Sequence, residues 1–188
     1  MIVTNVVKDS FIDYKDEHAL VVFSKGCNLD CDICYNKNKP YDFEEDLLEI
    51  VQRNITPLHT AVVISGGEPT IQDLHKTCKD FKELFPELKL KVFTNGQNPD
   101  MVIDCLNFVD TWSIDFKTLQ DTSILGVDCP CYKENVIRTL QILSTTKADC
   151  IVRIWKHPKT SLDDQDEMIR IIKEINPDTK FELVDILL

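Results

Sequence analysis

Glycine is scarce in this chain, at five of 188 residues, and proline is limited to eight. That excludes collagen-like and low-complexity architectures, and a content of 43% apolar and 28% charged residues excludes a disordered chain. No run of about 18 apolar residues occurs, so no membrane-spanning helix is expected. Met1 to Lys8 lack a basic stretch leading into an apolar one, so no export signal is read and the expected location is cytoplasmic. Positive charge is in deficit. The 21 Lys and Arg face 32 Asp and Glu, a net −11 that repels phosphate backbones and anionic lipid. Neither nucleic acid nor a membrane is an expected partner.

Cysteine, by contrast, is plentiful, with eight residues. In a reducing compartment thiols stay free, and clustered ones point to metal binding or catalysis rather than disulfides. The length predicts one domain over residues 1–188. Short β-branched and aliphatic runs at Ala19–Phe23, Ala61–Ile64, Leu88–Phe93, Val109–Asp115, Cys150–Trp155 and Phe181–Val184 predict six strands. Helical spacing lies between them. It covers Asp42–Asn54, with Asp42 and Glu45 as a capping-box-like start, and Thr70–Phe85, stopped by Pro86. Asn98-Pro99 opens a third helix, Val136, Ile137, Leu140 and Leu143 mark a fourth, and Ser161 caps a fifth before Pro177. Alternating strands and helices predict an α/β fold with a parallel sheet of six units. At about 31 residues each, near the minimum for such a unit, they leave function to the loops.

Directly after the first predicted strand, Gly26-Cys27-Asn28-Leu29-Asp30-Cys31-Asp32-Ile33-Cys34-Tyr35 spaces three thiols C-x3-C-x2-C. A structural zinc ion takes four protein ligands, and the next histidine, His59, lies beyond a predicted helix. An iron-sulfur cubane has four irons. Three thiolates would leave one iron open to an outside ligand, so the cubane is the sharper reading and zinc the alternative. After the second strand comes Ser65-Gly66-Gly67-Glu68-Pro69-Thr70, at the strand end where α/β proteins bind ligands. Adjacent glycines allow close backbone approach, and a carboxylate can pair with an ammonium.

The cysteine spacing with Gly-Gly-Glu-Pro resembles the radical S-adenosylmethionine superfamily. Ser10-Phe11-Ile12-Asp13-Tyr14, the Gly-Cys-Asn segment and Cys34-Tyr35-Asn36 are most similar to activating enzymes of glycyl radical enzymes, in particular those of anaerobic ribonucleotide reductase. The resemblance implies a partial (β/α)6 barrel, with Cys27, Cys31 and Cys34 holding a [4Fe-4S] cluster and S-adenosylmethionine on its fourth iron. It implies that Gly66, Gly67 and Glu68 hold the methionyl amino group. Thr94 and Asn95, Asp115 and Lys117, and Arg153 match further cofactor-contacting segments. It implies anaerobic ribonucleotide reductase as protein substrate and a flavodoxin or ferredoxin as electron donor. Departures are Ile33, where an aromatic residue is usual and Tyr35 offers partial cover, and Phe93, where the activators often carry an acid. Ile154-Trp155-Lys156-His157-Pro158 also departs from the family's apolar run. Rival readings are a radical enzyme for a small molecule or peptide, such as a deazaguanine-forming synthase, and a zinc-binding interaction module.

Other residues read as structural. Cys78, Cys105 and Cys150 fit core positions, Trp112 and Trp155 fit strand cores, and Cys129 and Cys131 sit in a loop. His18, His59 and His75 are expected near the surface and His157 in a loop. Asp163, Asp164, Asp166 and Glu167 form an expected solvated first turn favoured by the helix dipole.

Overall fold

The computed structural model describes residues 1–185. Six strands run parallel in chain order: β2 (Ala19–Ser24), β4 (Ala61–Gly66), β5 (Lys89–Thr94), β6 (Thr111–Phe116), β7 (Asp149–Lys156) and β8 (Lys180–Asp185). These are the six expected runs. Two further strands escaped the sequence pattern. β1 (Ile2–Ser10) pairs antiparallel with β2, and the two-residue β3 (Glu45–Asp46) pairs with β1, giving the order β3-β1-β2-β4-β5-β6-β7-β8. Within the described residues β8 pairs with β7 alone, so the parallel strands form an open, partial barrel.

The helices follow the strands in turn: α1 (Leu47–Asn54), α2 (Leu74–Leu84), α3 (Pro99–Cys105), α4 (Tyr132–Ser144) and α5 (Leu162–Ile175). Two boundaries correct the sequence reading. The first helix starts at Leu47, because Asp46 accepts from the Leu48 amide while Glu45 and Asp46 are drawn into β3; Asp42 has no capping role. The expected Thr70–Phe85 helix is broken. A 3-10 turn at Pro69–Ile71 ends at Gln72, and Asp73 then caps α2 through the Lys76 amide. Asn98 and Ser161 cap α3 and α5 as anticipated.

Side chains alternate along each strand. Leu20, Val22, Val62, Ile64, Leu90, Val92, Trp112, Ile114, Val152 and Ile154 are buried in one large core with helix residues such as Ile50, Phe81, Val102, Val136 and Met168. The opposite face lines the barrel. Its apolar part is the small cluster Ala19, Val21, Ala61 and Val63, packed by Tyr14, Phe23 and Phe93. On β5 to β7 the same face becomes polar, carrying Lys91, Ser113, Asp115 and Arg153. A helix-facing surface that is uniformly apolar fixes the fold, while small side chains on the inner face leave space inside.

Two structural readings need correcting. Trp155 is not core but lines the interior cavity, whereas Trp112 is fully buried. Asp164 is not solvated: it is 2% exposed and accepts from Thr118 Oγ1 and the Leu119 amide, both at 3.4 Å. The core thiols Cys78 and Cys105 are buried as expected.

Candidate active site at the strand ends

A cavity of about 460 Å³ opens at the carboxyl ends of the strands. All three clustered cysteines line it, together with Tyr35, Gly66, Gly67, Glu68, Thr94, Asn95, Asp115, Lys117 and Arg153. Every residue assigned above to the cluster or the cofactor therefore lines one space. The aromatic rim is Phe23, Phe93 and Trp155.

The cysteine loop is held by backbone contacts from two neighbouring loops. Gly67 donates to Ser24 O at 3.0 Å and Glu68 to Gly26 O at 2.8 Å. A Cβ on Gly67 would lie 1.8 Å from Gly26 O, and Gly66 has φ +99° with β2 backbone 2.6 Å from a Cβ position, so both must be glycine. On the other flank, the amides of Asp30 and Asp32 donate to Leu125 O and Ile124 O at 2.9 and 3.2 Å. Gly126, at φ +69°, ends that second loop with no room for a side chain, since a Cβ would stand 1.9 Å from Asp30 O. Side chains complete the frame. Asn95 Nδ2 donates to Asn28 Oδ1 at 2.8 Å, and His157 Nε2 meets Asp32 Oδ1 at 3.1 Å. The role of His157 is thus to bind the cysteine loop to the loop after β7.

Cys31 is buried, while Cys27 and Cys34 are exposed by surface area. Protein around the Cys27 thiol still strips enough water to push it up to about 11, and burial raises Cys31 as well, with Lys117 opposing. These thiols are protonated at neutral pH and would release protons on taking up a metal. Three soft donors facing a cavity with no fourth protein thiol fit a cluster that keeps one iron open.

Glu68 is 1% exposed and joins two strand ends. Its Oε1 accepts from the Thr70 amide at 3.1 Å and from the hydroxyls of Thr70 and Thr94, both at 2.6 Å; its Oε2 accepts from the Asn95 amide at 2.7 Å. Burial raises its pKa, with these hydrogen bonds opposing. Oε1 is saturated, and Oε2 keeps one acceptor position.

Across the cavity, Asp115 meets Lys117 Nζ at 2.8 Å and Arg153 Nε at 3.5 Å. Burial works to raise Asp115, but the two cations outweigh it and hold the carboxyl below its ordinary value. Lys117 is held above its ordinary value by Asp115 and Cys31 against the effect of burial. The Arg153 guanidinium carbon lies 4.8 Å from the ring centres of both Phe93 and Trp155. Tyr132, which the sequence reading did not single out, anchors this group: its hydroxyl accepts from the Lys117 amide at 2.9 Å and donates to Asp115 O at 3.2 Å. Tyr35 is 76% exposed, with Lys39 Nζ 3.0 Å over its ring.

The sequence profile of the Radical SAM superfamily matches residues 21–175. Two proteins of Methanocaldococcus jannaschii, each with the provisional name glycyl-radical enzyme activating enzyme, are 32% identical over 135 and 157 residues. The alignments cover 68% and 79% of this chain and 55% and 53% of theirs, so the chain spans about half the length of these curated relatives. A 7-carboxy-7-deazaguanine synthase of Synechocystis is 34% identical over 77 residues, covering 39% of this chain and 36% of that one. Among solved structures, Streptococcus suis SuiB bound to S-adenosylmethionine has a similar fold, with a TM-score of 0.67 at 20% identity over 89% of this chain and 40% of that one. The enzyme anSMEcpe with bound AdoMet and the Cp18Cys peptide gives 0.62 at 16% identity, over 87% of this chain and 49% of that one.

The second buttress makes a prediction. Gly126→Ala must displace Asp30 or its own loop, so the Asp30 and Asp32 amides should exchange hydrogen at least about 10-fold faster, an opening easier by about 1.4 kcal/mol. Amide exchange resolved by mass spectrometry checks this, and unchanged protection at both sites would remove the buttressing role.

Proposed function

Because the chain belongs to the radical S-adenosylmethionine superfamily, we propose that its cavity holds a [4Fe-4S] cluster and S-adenosylmethionine and that it generates a glycyl radical on a protein substrate, anaerobic ribonucleotide reductase. The observation that carries this reading is the convergence of three thiols, the Gly-Gly-Glu turn and the Asp115-Lys117-Arg153 group on one cavity. When bound, the cluster and cofactor supply one-electron reductive cleavage of a carbon-sulfur bond, yielding methionine and a 5′-deoxyadenosyl radical.

Cys27, Cys31 and Cys34 ligate three irons in this reading. Gly66 and Gly67 let the backbone approach the methionyl amino group, and the free acceptor position on Glu68 Oε2 receives an ammonium proton. Thr94 and Asn95 orient the ribose side. Lys117 and Arg153 offer their charge to the methionyl carboxylate while Asp115 keeps them in place, and Tyr35 covers the cavity mouth. Phe93 and Trp155 exclude water from the interior. A flavodoxin or ferredoxin serves as reductant, and the chain over residues 1–188 acts as one catalytic domain in the cytoplasm. Among the described residues no helix is long and apolar enough to cross a membrane.

A second reading, a radical enzyme acting on a small molecule or peptide, draws support from the likeness to the deazaguanine synthase. The activator reading is favoured because both archaeal relatives align over more of the chain.

Each of Cys27→Ser, Cys31→Ser and Cys34→Ser should abolish an intact, reducible cluster, because a hydroxyl is a poor ligand for iron-sulfur chemistry. Iron content and electron paramagnetic resonance after anaerobic reconstitution measure this, and wild-type iron in two of the three variants would end the assignment. Glu68→Gln should weaken S-adenosylmethionine binding by about 10- to 150-fold, matching loss of about 1.5–3 kcal/mol from a charge-assisted bond, with the cluster still assembled. Calorimetry reads the affinity, and no change would reduce Glu68 to a structural staple. For the function itself, reduced protein with S-adenosylmethionine and an anaerobic ribonucleotide reductase should give a glycyl radical doublet, absent when the acceptor glycine is alanine. Consumption of a small heterocycle or peptide in step with cofactor cleavage, with no doublet, favours the second reading.

A further inference from the structure

At the amino-terminal ends of β2 and β4, the β1–β2 connection meets the loop between α1 and β4. Among the described residues, Asp9, His18 and His59 gather three metal-ligating atoms within 4.8 Å of one another. Asp9 Oδ1 lies 2.8 Å from His18 Nε2 and 3.8 Å from His59 Nε2, and the Lys8 carbonyl oxygen lies 2.7 Å from His59 Nε2. Four donors around a tetrahedral zinc ion stand about 3.3 Å apart, and these separations bracket that value.

Three features favour metal over a casual hydrogen-bonded cluster. The pairing of β1 with β2 shifts register between Val7 and Ser10, so a bulge occurs at Lys8 and Asp9, the device by which strands re-aim a side chain. The outer nitrogen of His18 already has an acceptor, with Nδ1 3.2 Å from Leu58 O, while His59 Nδ1 accepts from the Thr56 amide at 3.0 Å and lies 2.9 Å from Thr56 Oγ1. The Leu58 carbonyl fixes the His18 tautomer that turns Nε2 toward a metal, and Thr56 Oγ1 offers His59 the same kind of partner once its proton moves. Third, the rings are held in place by stacking, with centroids of His18 and His59 4.4 Å apart and Phe11 4.6 Å from His18.

We propose that Asp9, His18 and His59, with the Lys8 carbonyl, form a binding site for a divalent transition-metal cation, best suited to Zn²⁺, that ties the β1–β2 connection to the α1–β4 loop. Two nitrogens and two oxygens suit zinc, and neutral imidazoles are required. On binding, the contacts of His59 Nε2 with Lys8 O and of His18 Nε2 with Asp9 Oδ1 give way to metal bonds, and a third hydrogen bond changes with them. The Thr56 amide now donates to His59 Nδ1 at 3.0 Å, and His59 must shift its proton to that nitrogen so that Nε2 can ligate. The proton then donates to Thr56 Oγ1, and the Thr56 amide gives up its acceptor. The histidine side chains are 16% and 2% exposed and Asp9 is 64% exposed, so an ion enters from the Asp9 side.

The test uses the full chain carrying Cys27→Ser, Cys31→Ser, Cys34→Ser, Cys129→Ser and Cys131→Ser, which removes the clustered and loop thiols and makes the outcome independent of the proposed cluster. Titrated with Co²⁺, it should bind one ion per chain, with visible d–d bands of tetrahedral intensity and no thiolate charge-transfer band. Adding Asp9→Asn or His18→Ala, both at accessible positions, should weaken binding by at least about 10-fold, and saturating Zn²⁺ should raise Tm only in the parent. No cobalt uptake, uptake unchanged by both substitutions, or a spectrum carrying thiolate charge transfer would overturn the site.

Discussion

The site depends on how closely three backbone segments approach one another. The cysteine loop can lie across the strand ends only because Gly66 and Gly67 bring the turn after β4 within hydrogen-bonding distance of Ser24 and Gly26. From that contact the rest follows. Glu68 is carried inward, where its carboxylate can reach Thr94 and Asn95 and so join β4 to β5. Asn95 then reaches back to Asn28 within the cysteine loop, closing a circuit of contacts. A scaffold of this kind fixes the backbone that carries the three thiols, which limits the ordering that a ligand would have to supply.

The charges across the cavity obey a second constraint. Two cations and one carboxylate share a region with little solvent, and isolated charges there would be strongly disfavoured. Asp115 is kept ionised by Lys117 and Arg153, and two aromatic faces take part of the guanidinium's solvation role. The group has an excess of positive charge, which suits an anionic group entering from the cavity.

The parallel strands were legible in the sequence because each is a short, nearly continuous apolar run between polar turns, the pattern of a strand covered on both faces. β1 was not, since its residues alternate irregularly between buried Val3 and Thr4 and exposed Val7 to Asp9. The first helix was placed too early because Asp42 and Glu45 imitate a cap, and only pairing of Glu45 with Val3 in β1 reveals that this stretch is drawn into the sheet. The site residues were legible as motifs, since Cys27, Cys31, Cys34 and Gly66 to Glu68 cluster in sequence. Their supports were not. Tyr132, Asn28 paired with Asn95, and His157 paired with Asp32 act across 15, 67 and 125 residues of chain, and no local spacing signals them. His59 was expected near the surface and is 6% exposed, because its ring is drawn under the β1–β2 connection.

The open barrel leaves β8 with an unpaired outer edge among the described residues, and edges of this kind are templates for unwanted strand addition. Here the exposed positions Lys180, Glu182 and Asp185 put one positive and two negative charges along that edge, with Leu183 the exposed apolar residue between Glu182 and Asp185. A second copy paired in parallel and in register would set each of these charges beside its like, so the edge is biased against that one mode of strand addition.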